Sequence, residues 1–376
     1  MTPPDPPLLP GDPAPWFVQA TLGNPRFHFH TAAGRWLVLG MFGRTDDSAA
    51  AQAIAAVRAR PDLFDDVRAS FFGVTLDPAD AAQGRIAETI PGYRWFIDQD
   101  GSVSRLYGAL TGATDSAGPR YLRQWIVIDP GLRVRAVLPF ATDGGDRARL
   151  IATLERQPPP GRHNGIEMSA PVLYLPGVFE PALCRRLVAH YEERGGVESG
   201  FMREVAGRTV GVLDPAHKRR RDVTVTDPEL IRAVQARILR RVVPEIAKVH
   251  QFHVTRMERY VIGCYAAEDG GHFRAHRDNT TRGTAHRRFA ISINLNDDFQ
   301  GGEVSFPEYG PRSYRPPVGG AVVFSCSLLH AVSKVTAGRR YAFLPFVYDD
   351  AAARIREENR RYLDDAAPRP DGDEAR

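Results

Sequence analysis

The chain has 376 residues, a formal net charge of +4, 43% apolar residues and 25% charged residues. These values are ordinary for globular proteins, so they exclude a wholly disordered, collagen-like or coiled-coil chain. The length predicts two or three domains, each of which is large enough to bury its own core. The small and dispersed positive charge does not indicate a nucleic-acid-binding protein.

The compartment is inferred from the ends of the chain, its apolar runs and its cysteines. The longest apolar runs fall far short of the roughly 18 residues that a membrane helix needs. The first ten residues contain five prolines and lack the basic segment and apolar core of a secretory signal. Cys184, Cys264 and Cys326 are odd in number and form no CxxC pair, which is typical of buried structural thiols. We therefore expect a cytoplasmic protein without a membrane partner.

A proline-rich segment divides the chain. The run Gln157-Pro-Pro-Pro-Gly-Arg-His-Asn-Gly165 disfavours helix and sheet because proline has no amide proton, and it predicts a linker over residues 157–168. Residues 8–156 are then the first domain and residues 169–350 the second. Residues 351–376 are expected to form a C-terminal helix and a flexible tail, since the last eleven residues are charged and nearly lack large apolar side chains.

The first domain alternates predicted strands and helices. Apolar runs and helical periodicity predict, in chain order, a strand at 36–42, a helix from 48, a strand at 71–76, a helix at 78–89, a strand at 93–97, paired strands at 124–129 and 133–140, and a helix at 146–156. Alternating elements followed by a hairpin indicate a layered α/β domain.

Segments of this first domain resemble the thioredoxin-fold peroxiredoxins over about residues 8 to 156. The similar segments are Leu9-Pro-Gly-Asp-Pro-Ala-Pro-Trp-Phe17, the strand at 36–42, Phe96-Ile-Asp-Gln-Asp-Gly101 and Trp125-Ile-Val-Ile-Asp-Pro-Gly131. In that family the peroxidatic cysteine lies just after the strand, where this chain reads Gly43-Arg-Thr-Asp-Asp-Ser-Ala-Ala50, and no cysteine precedes Cys184. Serine or aspartate cannot replace a thiolate in peroxide reduction at neutral pH.

The resemblance therefore implies a thioredoxin-like fold without peroxidase activity. Recruitment of a protein partner and dimerisation are the roles left for this domain. The alternative, a thiol peroxidase, is nearly excluded by the positions of the cysteines.

The second domain begins with helices and ends with strands. A strand and turn at 171–179 precede a helix in which Leu183, Leu187, Val188 and Tyr191 share a face, and another amphipathic helix spans about 228–249. Only strands are predicted after it, at 257–264, 288–295, 303–306, 321–324 and 341–348. This order predicts a double-stranded β-helix, or jelly roll, braced by helices.

Candidate metal ligands lie in this strand region. In the extended triplet His276-Arg277-Asp278, the first and third side chains share a face while the second points away. A third ligand must come from another strand, and His330 is the best candidate. Two histidines and one carboxylate on one face of an octahedral metal leave three positions open, the arrangement that suits non-haem Fe(II) oxygenases.

The triplet alone is weak evidence for a metal site. With 11 histidines, an HxD or HxE is expected about once by chance, and His190-Tyr-Glu192 is a second example. A helix is predicted around His190, so its first and third residues diverge. His272 and His276 have the spacing of helical zinc ligands, but two preceding glycines and flanking strands oppose a helix there. The alternative for His276 is a solvated loop histidine.

Two further patterns favour the metal site. Arg340 follows His330 by ten residues, and its guanidinium fork could hold a carboxylate bidentately. Because Arg339 is adjacent, the register leaves open which arginine faces inward, and we prefer Arg340. In residues 289–295, large apolar side chains alternate with small or polar ones, as in a barrel wall with helices outside and a cavity inside. A solvated outer face would produce the same alternation.

Six ordered segments resemble the Fe(II) and 2-oxoglutarate-dependent oxygenases of the prolyl 4-hydroxylase type, over roughly residues 170 to 350. They are Tyr260-Val-Ile-Gly-Cys-Tyr265, His276-Arg-Asp-Asn279, Gly301-Gly-Glu-Val-Ser-Phe306, Gly320-Ala-Val-Val-Phe324, Leu329-His330 and Gly338-Arg-Arg-Tyr341. The resemblance implies that His276, Asp278 and His330 bind Fe(II). It also implies that Arg340 pairs with the distal carboxylate of 2-oxoglutarate.

Two more positions enter through this resemblance. Tyr265 matches a position where relatives often place a tyrosine hydroxyl on the same carboxylate, and Asn294 lies in the co-substrate site where relatives carry tyrosine. The implied activity is hydroxylation of a C–H bond in a prolyl-type peptide or a small molecule, with release of succinate and CO2. Fe(II) and 2-oxoglutarate are the expected cofactor and co-substrate, with ascorbate as an optional accessory.

Two alternatives stay open for this part of the chain. It could be a binding or scaffold protein whose redoxin and jelly-roll domains have both lost activity. The basic run Lys218-Arg-Arg-Arg221 predicts a solvated loop, with phosphate binding or contact with an anionic substrate as the alternatives. No nucleic-acid partner is expected.

Overall fold

The computed structural model describes residues 8–112 and 120–363. The chain divides into two compact units, Met1–Ser169 with Pro307–Pro311 and Ala170–Phe306 with Arg312–Arg376. No helix in the described ranges is long and apolar enough to cross a membrane. The flexible tail predicted from residue 366 lies outside the described residues.

The first unit is a layered α/β structure. Its described elements are β1 (Val18–Gln19), β2 (Phe27–His28), β3 (Trp36–Gly43), α1 (Ser48–Arg58), β4 (Ala69–Thr75), α2 (Ala79–Ala82), β5 (Tyr93–Ile97), α3 (Ser102–Leu106), β6 (Leu110–Thr111), β7 (Arg120–Tyr121), β8 (Gln124–Ile128), β9 (Val134–Pro139) and α4 (Gly145–Glu155). The main sheet has the order β5-β4-β3-β8-β9. Strands β3 to β5 run parallel, while β8 and β9 are antiparallel to their neighbours.

The central strands of this sheet are buried along their whole length, as their continuous apolar runs predict. Helices α1 and α4 pack on the sheet, and Ile54, Val57 and Leu150 lie in one core cluster with Trp36 and Phe71. The start of the predicted linker also belongs to this unit, because the indole Nε1 of Trp36 donates a hydrogen bond to the carbonyl of Pro158 at 2.9 Å.

The helix predicted over 78–89 is wrong beyond its first turn. Helix α2 ends at Ala82, and Gly84 adopts a left-handed conformation with φ 67°. The amide of Arg85 then donates to the carbonyl of Asp80 at 2.9 Å, which closes the helix in the manner of a Schellman cap. A glycine that adopts positive φ without strain therefore ends the helix that the polar and alanine-rich composition favours.

The second unit contains a large and a small antiparallel sheet and a separate two-stranded hairpin over residues 201–212. Its described elements are β10 (Leu173–Leu175), α5 (Pro181–Arg194), β11 (Val197–Glu198), β12 (Phe201–Val205), β13 (Arg208–Val212), β14 (Lys218–Arg219), β15 (Arg221–Thr224), α6 (Pro228–Arg241), α7 (Val243–His250), β16 (Arg256–Glu258), β17 (Val261–Ala266), β18 (His272–His276), β19 (Phe289–Asn294), β20 (Phe299–Gln300), β21 (Val304–Ser305), β22 (Ser313–Tyr314), β23 (Ala321–Ser325), β24 (His330–Val332), β25 (Ala337–Phe343), β26 (Phe346–Tyr348) and α8 (Asp350–Asn359). The large sheet has the order β10-β23-β19-β25-β17-β15-β11, and the small sheet has the order β14-β18-β24-β21-β22.

The two sheets enclose a common interior, as a jelly roll requires. Tyr265 of the large sheet packs in one cluster with Phe273 and Val332 of the small sheet. On the outer face of the large sheet, helices α5, α6 and α7 cover the apolar side chains of β19 and its neighbours. The predicted alternation in residues 289–295 is confirmed, since Phe289, Ile291, Ile293 and Leu295 lie in this helix-covered core.

Two predictions about this unit are wrong. The helix expected at 228–249 is divided into α6 and α7 at Val242, because Pro244 in the first turn of α7 has no amide proton to continue the helical hydrogen bonds. Strands also occur before this helix pair, over residues 197–224, and they include most of the basic run 218–221 that was predicted to be a solvated loop. Their short length and many charged residues leave too little alternation for detection.

Candidate metal centre

Two histidines meet on the inner side of the small sheet. His276 is the last residue of β18 and His330 is the first residue of β24, and the two are directly paired across the strands. Paired residues in an antiparallel ladder share a face, so both imidazoles point the same way. Their ring centroids are 4.2 Å apart.

The carboxylate of Asp278 lies between these imidazoles. Its Oδ1 is 3.6 Å from Nε2 of His276, and its Oδ2 is 3.4 Å from Nε2 of His330. The backbone amide of Asp278 donates to the carbonyl of Cys326 at 3.0 Å, which fixes the residue just after β18. One ligand atom from each of the three side chains lies within 4.8 Å of the others.

The outer ring nitrogens determine which tautomer each histidine adopts. Nδ1 of His276 lies 2.7 Å from the carbonyl of Arg274, and Nδ1 of His330 lies 3.0 Å from the carbonyl of Leu328. Because a carbonyl only accepts, each Nδ1 carries the proton and donates. Each Nε2 is then left with a lone pair directed at the centre of the cluster.

The electrostatic environment favours the same three side chains as metal ligands. Burial, reinforced by the neighbouring His330, lowers the pKa of His276 to about 4, so this imidazole is neutral at pH 7. Burial alone would raise the pKa of Asp278, but His330 and His276 hold it well below its usual range. Two imidazole nitrogens and an ionised carboxylate fit a divalent transition metal such as Fe(II).

Arg340 is a buried cation of the large sheet. It lies on β25 opposite Tyr265 of β17 and is 1% exposed. Its Nε donates to Oδ1 of Asn294 at 3.0 Å, and its Nη2 donates to Oγ of Ser292 at 2.9 Å. Within the described ranges, its Nη1 has no hydrogen-bond partner. Burial lowers its pKa to about 10, so the guanidinium is still charged at pH 7.

The structure decides between the two adjacent arginines of β25. Arg339 is exposed and pairs with the carboxylate of Glu268, whereas Arg340 points into the interior. An anion bound inside the barrel would therefore meet Arg340.

Tyr265 and Asn294 both contact Arg340. The ring of Tyr265 lies 5.4 Å from the guanidinium carbon of Arg340 and 5.7 Å from that of Arg220. Its hydroxyl accepts a hydrogen bond from Nη1 of Arg220 at 3.3 Å. Arg220 is itself fixed by the carboxylate of Asp222, at 2.6 Å and 2.7 Å.

Two family models match the chain. Residues 256–348 match the 2OG-Fe(II) oxygenase superfamily, and residues 10–137 match the AhpC/TSA family. The first match includes His276, Asp278, His330 and Arg340. We refer to the parts of the chain that carry these two matches as the oxygenase domain and the AhpC/TSA domain.

Several known proteins are similar to parts of this chain. A PKHD-type hydroxylase from Shewanella sp. (strain MR-7) is 25% identical over 203 residues, which are 51% of this chain and 83% of the relative. A Trichoplax adhaerens prolyl hydroxylase, solved with a hypoxia inducible factor peptide fragment, has a TM-score of 0.40 at 16% identity and covers 50% of this chain and 86% of its own. Xanthomonas campestris peroxiredoxin Q has a TM-score of 0.31 at 16% identity and covers 37% of this chain and 89% of its own. The superfamily match and the similarity to the Shewanella PKHD-type hydroxylase identify the chain as an enzyme of the hydroxylase type.

Other candidate ligands of the oxygenase domain lie elsewhere. His190 and Glu192 are on helix α5, and Nδ1 of His272 bonds the carbonyl of Gly270. In the part of the chain that the structure describes, His276, Asp278 and His330 are the one group of three or more possible ligands within metal-binding reach of each other.

The basic run 218–221 contains interior residues that the sequence interpretation missed. Lys218 and Arg220 are buried, while Arg219 and Arg221 between and after them are exposed. The signal was present, since a strand turns alternate side chains to the same face. This alternation was not recognised because a run of four adjacent cations is usually solvated.

In the AhpC/TSA domain, the loop after β3 has no thiol. Thr45, Asp46 and Ser48 help to line a surface depression of about 510 Å³, and the carboxylate of Asp47 caps helix α1 by accepting from the amide of Ala50 at 2.8 Å.

All three cysteines lie in the other unit as buried free thiols. Burial raises the pKa of Cys184 and Cys264 to about 11 and that of Cys326 well above its usual value.

Proposed function

We propose that the protein is an Fe(II)- and 2-oxoglutarate-dependent dioxygenase that hydroxylates a C–H bond in a prolyl-type peptide or a small molecule, releasing succinate and CO2. The observation that carries the proposal is the convergence of His276, Asp278 and His330 in a domain whose interior also holds the buried guanidinium of Arg340. The superfamily match over residues 256–348 supports it.

His276, Asp278 and His330 would hold Fe(II) through two Nε2 atoms and one carboxylate oxygen. When bound, Fe(II) supplies the redox chemistry that couples O2 and 2-oxoglutarate to oxidation of a C–H bond. The protein fixes the ligands in advance: the carbonyls of Arg274 and Leu328 set the tautomers. Stacking of Phe273 on His276, with ring centroids 3.5 Å apart, restricts rotation of that imidazole.

Arg340 would bind the distal carboxylate of 2-oxoglutarate through its unpartnered Nη1. Asn294 and Ser292 hold the other two nitrogens, so the guanidinium is oriented before the co-substrate arrives. The hydroxyl of Tyr265 accepts from Arg220, which leaves its own proton free for the same carboxylate.

Apolar side chains exclude water from the interior. Tyr265, Phe273, Phe299, Val332 and Val335 form one buried cluster between the two sheets. In such a low-dielectric environment, the attraction between Arg340 and a carboxylate is stronger than in water. Confinement also protects a reactive oxidant from solvent.

The proposal is tested by product analysis with the full-length protein. Fe(II), 2-oxoglutarate and ascorbate are added to the protein with cell extract, prolyl peptides or small-molecule fractions, and mass spectrometry searches for a gain of one oxygen atom. We expect such a product together with succinate, and neither from the Asp278→Ala variant. Failure of the purified protein to bind iron, with no succinate under any of these conditions, would contradict the proposal.

For the AhpC/TSA domain, we propose a role without peroxide reduction, in partner binding or dimerisation. The loop of residues 43–50 and the rest of the first unit contain no cysteine to form the necessary thiolate. Light scattering of the full chain tests dimerisation, and peroxide consumption by the full chain in the presence of a thiol reductant would contradict the proposal. The buried free cysteines of the other unit suit a reducing compartment, and we place the protein in the cytoplasm.

A further inference from the structure

Lys218 lies on the same inner face of the small sheet as the candidate metal ligands. It pairs with Phe273 across β14 and β18, so the two side chains share a face. A register shift between Phe273 and His276 brings these two rings into a stack with centroids 3.5 Å apart. The Nζ atom of Lys218 is 5.1 Å from the centroid of Phe273. A single aromatic ring therefore connects the ammonium group to the imidazole.

The ammonium group of Lys218 is buried without a counter-ion. The residue is 4% exposed, and its Nζ donates one hydrogen bond, to the carbonyl of Gly200 at 2.6 Å. A lysine has three N–H donors. Across residues 8–112 and 120–363, no carboxylate forms an ion pair with Lys218 and no second acceptor bonds it. Lysine is rarely buried in this way unless a partner neutralises it.

The nearby carboxylates, Asp222 and Asp278, already have other partners or roles. Arg220 holds both oxygens of Asp222, and Arg259 approaches the same carboxylate at 3.5 Å. Asp278 belongs to the candidate metal centre. Burial and the charge of Arg220 lower the pKa of Lys218 well below its usual value, and the carboxylates of Asp222 and Asp278 offset only part of this effect.

We propose that Lys218 binds a compact oxyanion, such as a carboxylate, carried by the primary substrate of the oxygenase domain. This inference rests on the proposed function, in which Arg340 of the large sheet binds 2-oxoglutarate. Lys218 belongs to the small sheet and lies against the ring of Phe273, which stacks on His276. Arg340 belongs to the large sheet, and we therefore assign the two cations to different anions. The substrate is then an acidic molecule or an acidic segment of a peptide.

The hydrogen bond to Gly200 gives Lys218 a structural role as well. Gly200 directly precedes the hairpin of β12 and β13, so loss of the bond would loosen the base of that hairpin. A test must therefore separate anion binding from stability. Lys218→Met keeps the length and the apolar stem of the side chain but removes its charge.

The matched control is Arg219→Met. Arg219 is adjacent in the same strand but exposed, so this variant makes the same change in net charge on the outside of the sheet. Lys218→Arg restores the charge at the inner position. Thermal unfolding of all three variants reports the structural contribution.

The experiment uses full-length protein with Mn(II) in place of iron and saturating 2-oxoglutarate. The probes are acetate and inorganic phosphate, and the measurement is the relaxation that Mn(II) induces in the acetate methyl protons or in phosphate phosphorus. Saturable relaxation in the wild type is expected, with affinity lowered about tenfold or more in Lys218→Met, as loss of a charge-assisted hydrogen bond implies. Arg219→Met should match the wild type, and Lys218→Arg should recover part of the loss. Tighter binding of acetate than of phosphate assigns the substrate group as a carboxylate, and the reverse assigns a phosphate.

Three results with the acetate and phosphate probes would overturn the inference. They are no saturable relaxation in the wild type, equal affinity in the wild type and Lys218→Met, and equal losses in Lys218→Met and Arg219→Met. A fall in 2-oxoglutarate affinity in Lys218→Met that parallels the loss of acetate would also overturn it, because the lysine would then serve the co-substrate. Failure of the proposed function is distinguishable, since the wild type would then not bind Mn(II) with 2-oxoglutarate.

Discussion

Replacement of Arg340 by methionine removes the guanidinium that we assign to the distal carboxylate of 2-oxoglutarate. Only Nη1 of this side chain is unpartnered in the described part of the chain, so the variant loses one buried charge-assisted hydrogen bond and the local charge. Such a bond contributes about 2 to 3 kcal/mol, which corresponds to a 2-oxoglutarate dissociation constant about 30 to 150 times higher. Metal affinity should not change, because Arg340 bonds Asn294 and Ser292 and none of the metal-ligand candidates.

The assay is calorimetric titration of 2-oxoglutarate into full-length protein loaded with Mn(II), in the absence of O2. Arg339→Met is the matched control, since Arg339 is the neighbouring residue and pairs with Glu268 at the surface. Its dissociation constant for 2-oxoglutarate should equal that of the wild type. Equal behaviour of the two variants, or loss of metal binding in Arg340→Met, would refute the assignment.

Three further outcomes are expected. His276→Ala should abolish Fe(II) binding measured by metal analysis after dialysis, whereas His272→Ala, on the same strand but outside the metal-ligand group, should retain it. Glu258→Gln should lower the free energy of unfolding in urea by about 3 to 5 kcal/mol, because it leaves the guanidinium groups of Arg287 and Arg356 without their buried carboxylate. The exposed Glu268→Gln should cost less than about 1 kcal/mol. Burial lowers the pKa of His217 to about 4, so the unfolded chain binds a proton that the folded protein excludes, and stability should fall as the pH drops from about 6.5 to 4. His217→Phe should reduce that slope, and an unchanged slope would contradict this account.

The fold of the first unit followed from its sequence because its central strands are buried on both faces. Continuous apolar runs such as Trp36 to Phe42 then mark strands without ambiguity. The helix predicted at 78–89 was wrong because its end is set by local backbone features. Gly84 in a left-handed conformation and the buried Asp80 decide where that helix ends, and composition alone does not show either.

In the oxygenase domain, the side chains of the candidate site were predictable because strand periodicity links sequence to face. The first and third residues of His276-Arg277-Asp278 converge, and Ser292 and Asn294 turn toward Arg340, as a period of two requires. The pairing between the two ligand-bearing strands was harder to predict. That His330 lies directly opposite His276 depends on a long-range register, which spacing in the sequence does not fix.

Residues 197–224 show the limit of the same reasoning. The strands there are two to five residues long and rich in charged side chains, so their alternation is too short to recognise. Lys218 and Arg220 are held inside by pairing with β18 and by Asp222, and both contacts join distant or unpredicted elements. Such tertiary contacts override the usual preference of lysine and arginine for solvent.

The central claim is that His276, Asp278 and His330 form an iron centre that consumes 2-oxoglutarate. Its most direct test is a measurement of 2-oxoglutarate loss and succinate formation by the full-length protein with Fe(II) and O2. The account predicts equimolar loss and formation by the wild type, and neither by Asp278→Ala at the same protein concentration. Turnover in Asp278→Ala equal to that of the wild type, or iron-loaded wild-type protein that forms no succinate with any substrate fraction, would contradict it.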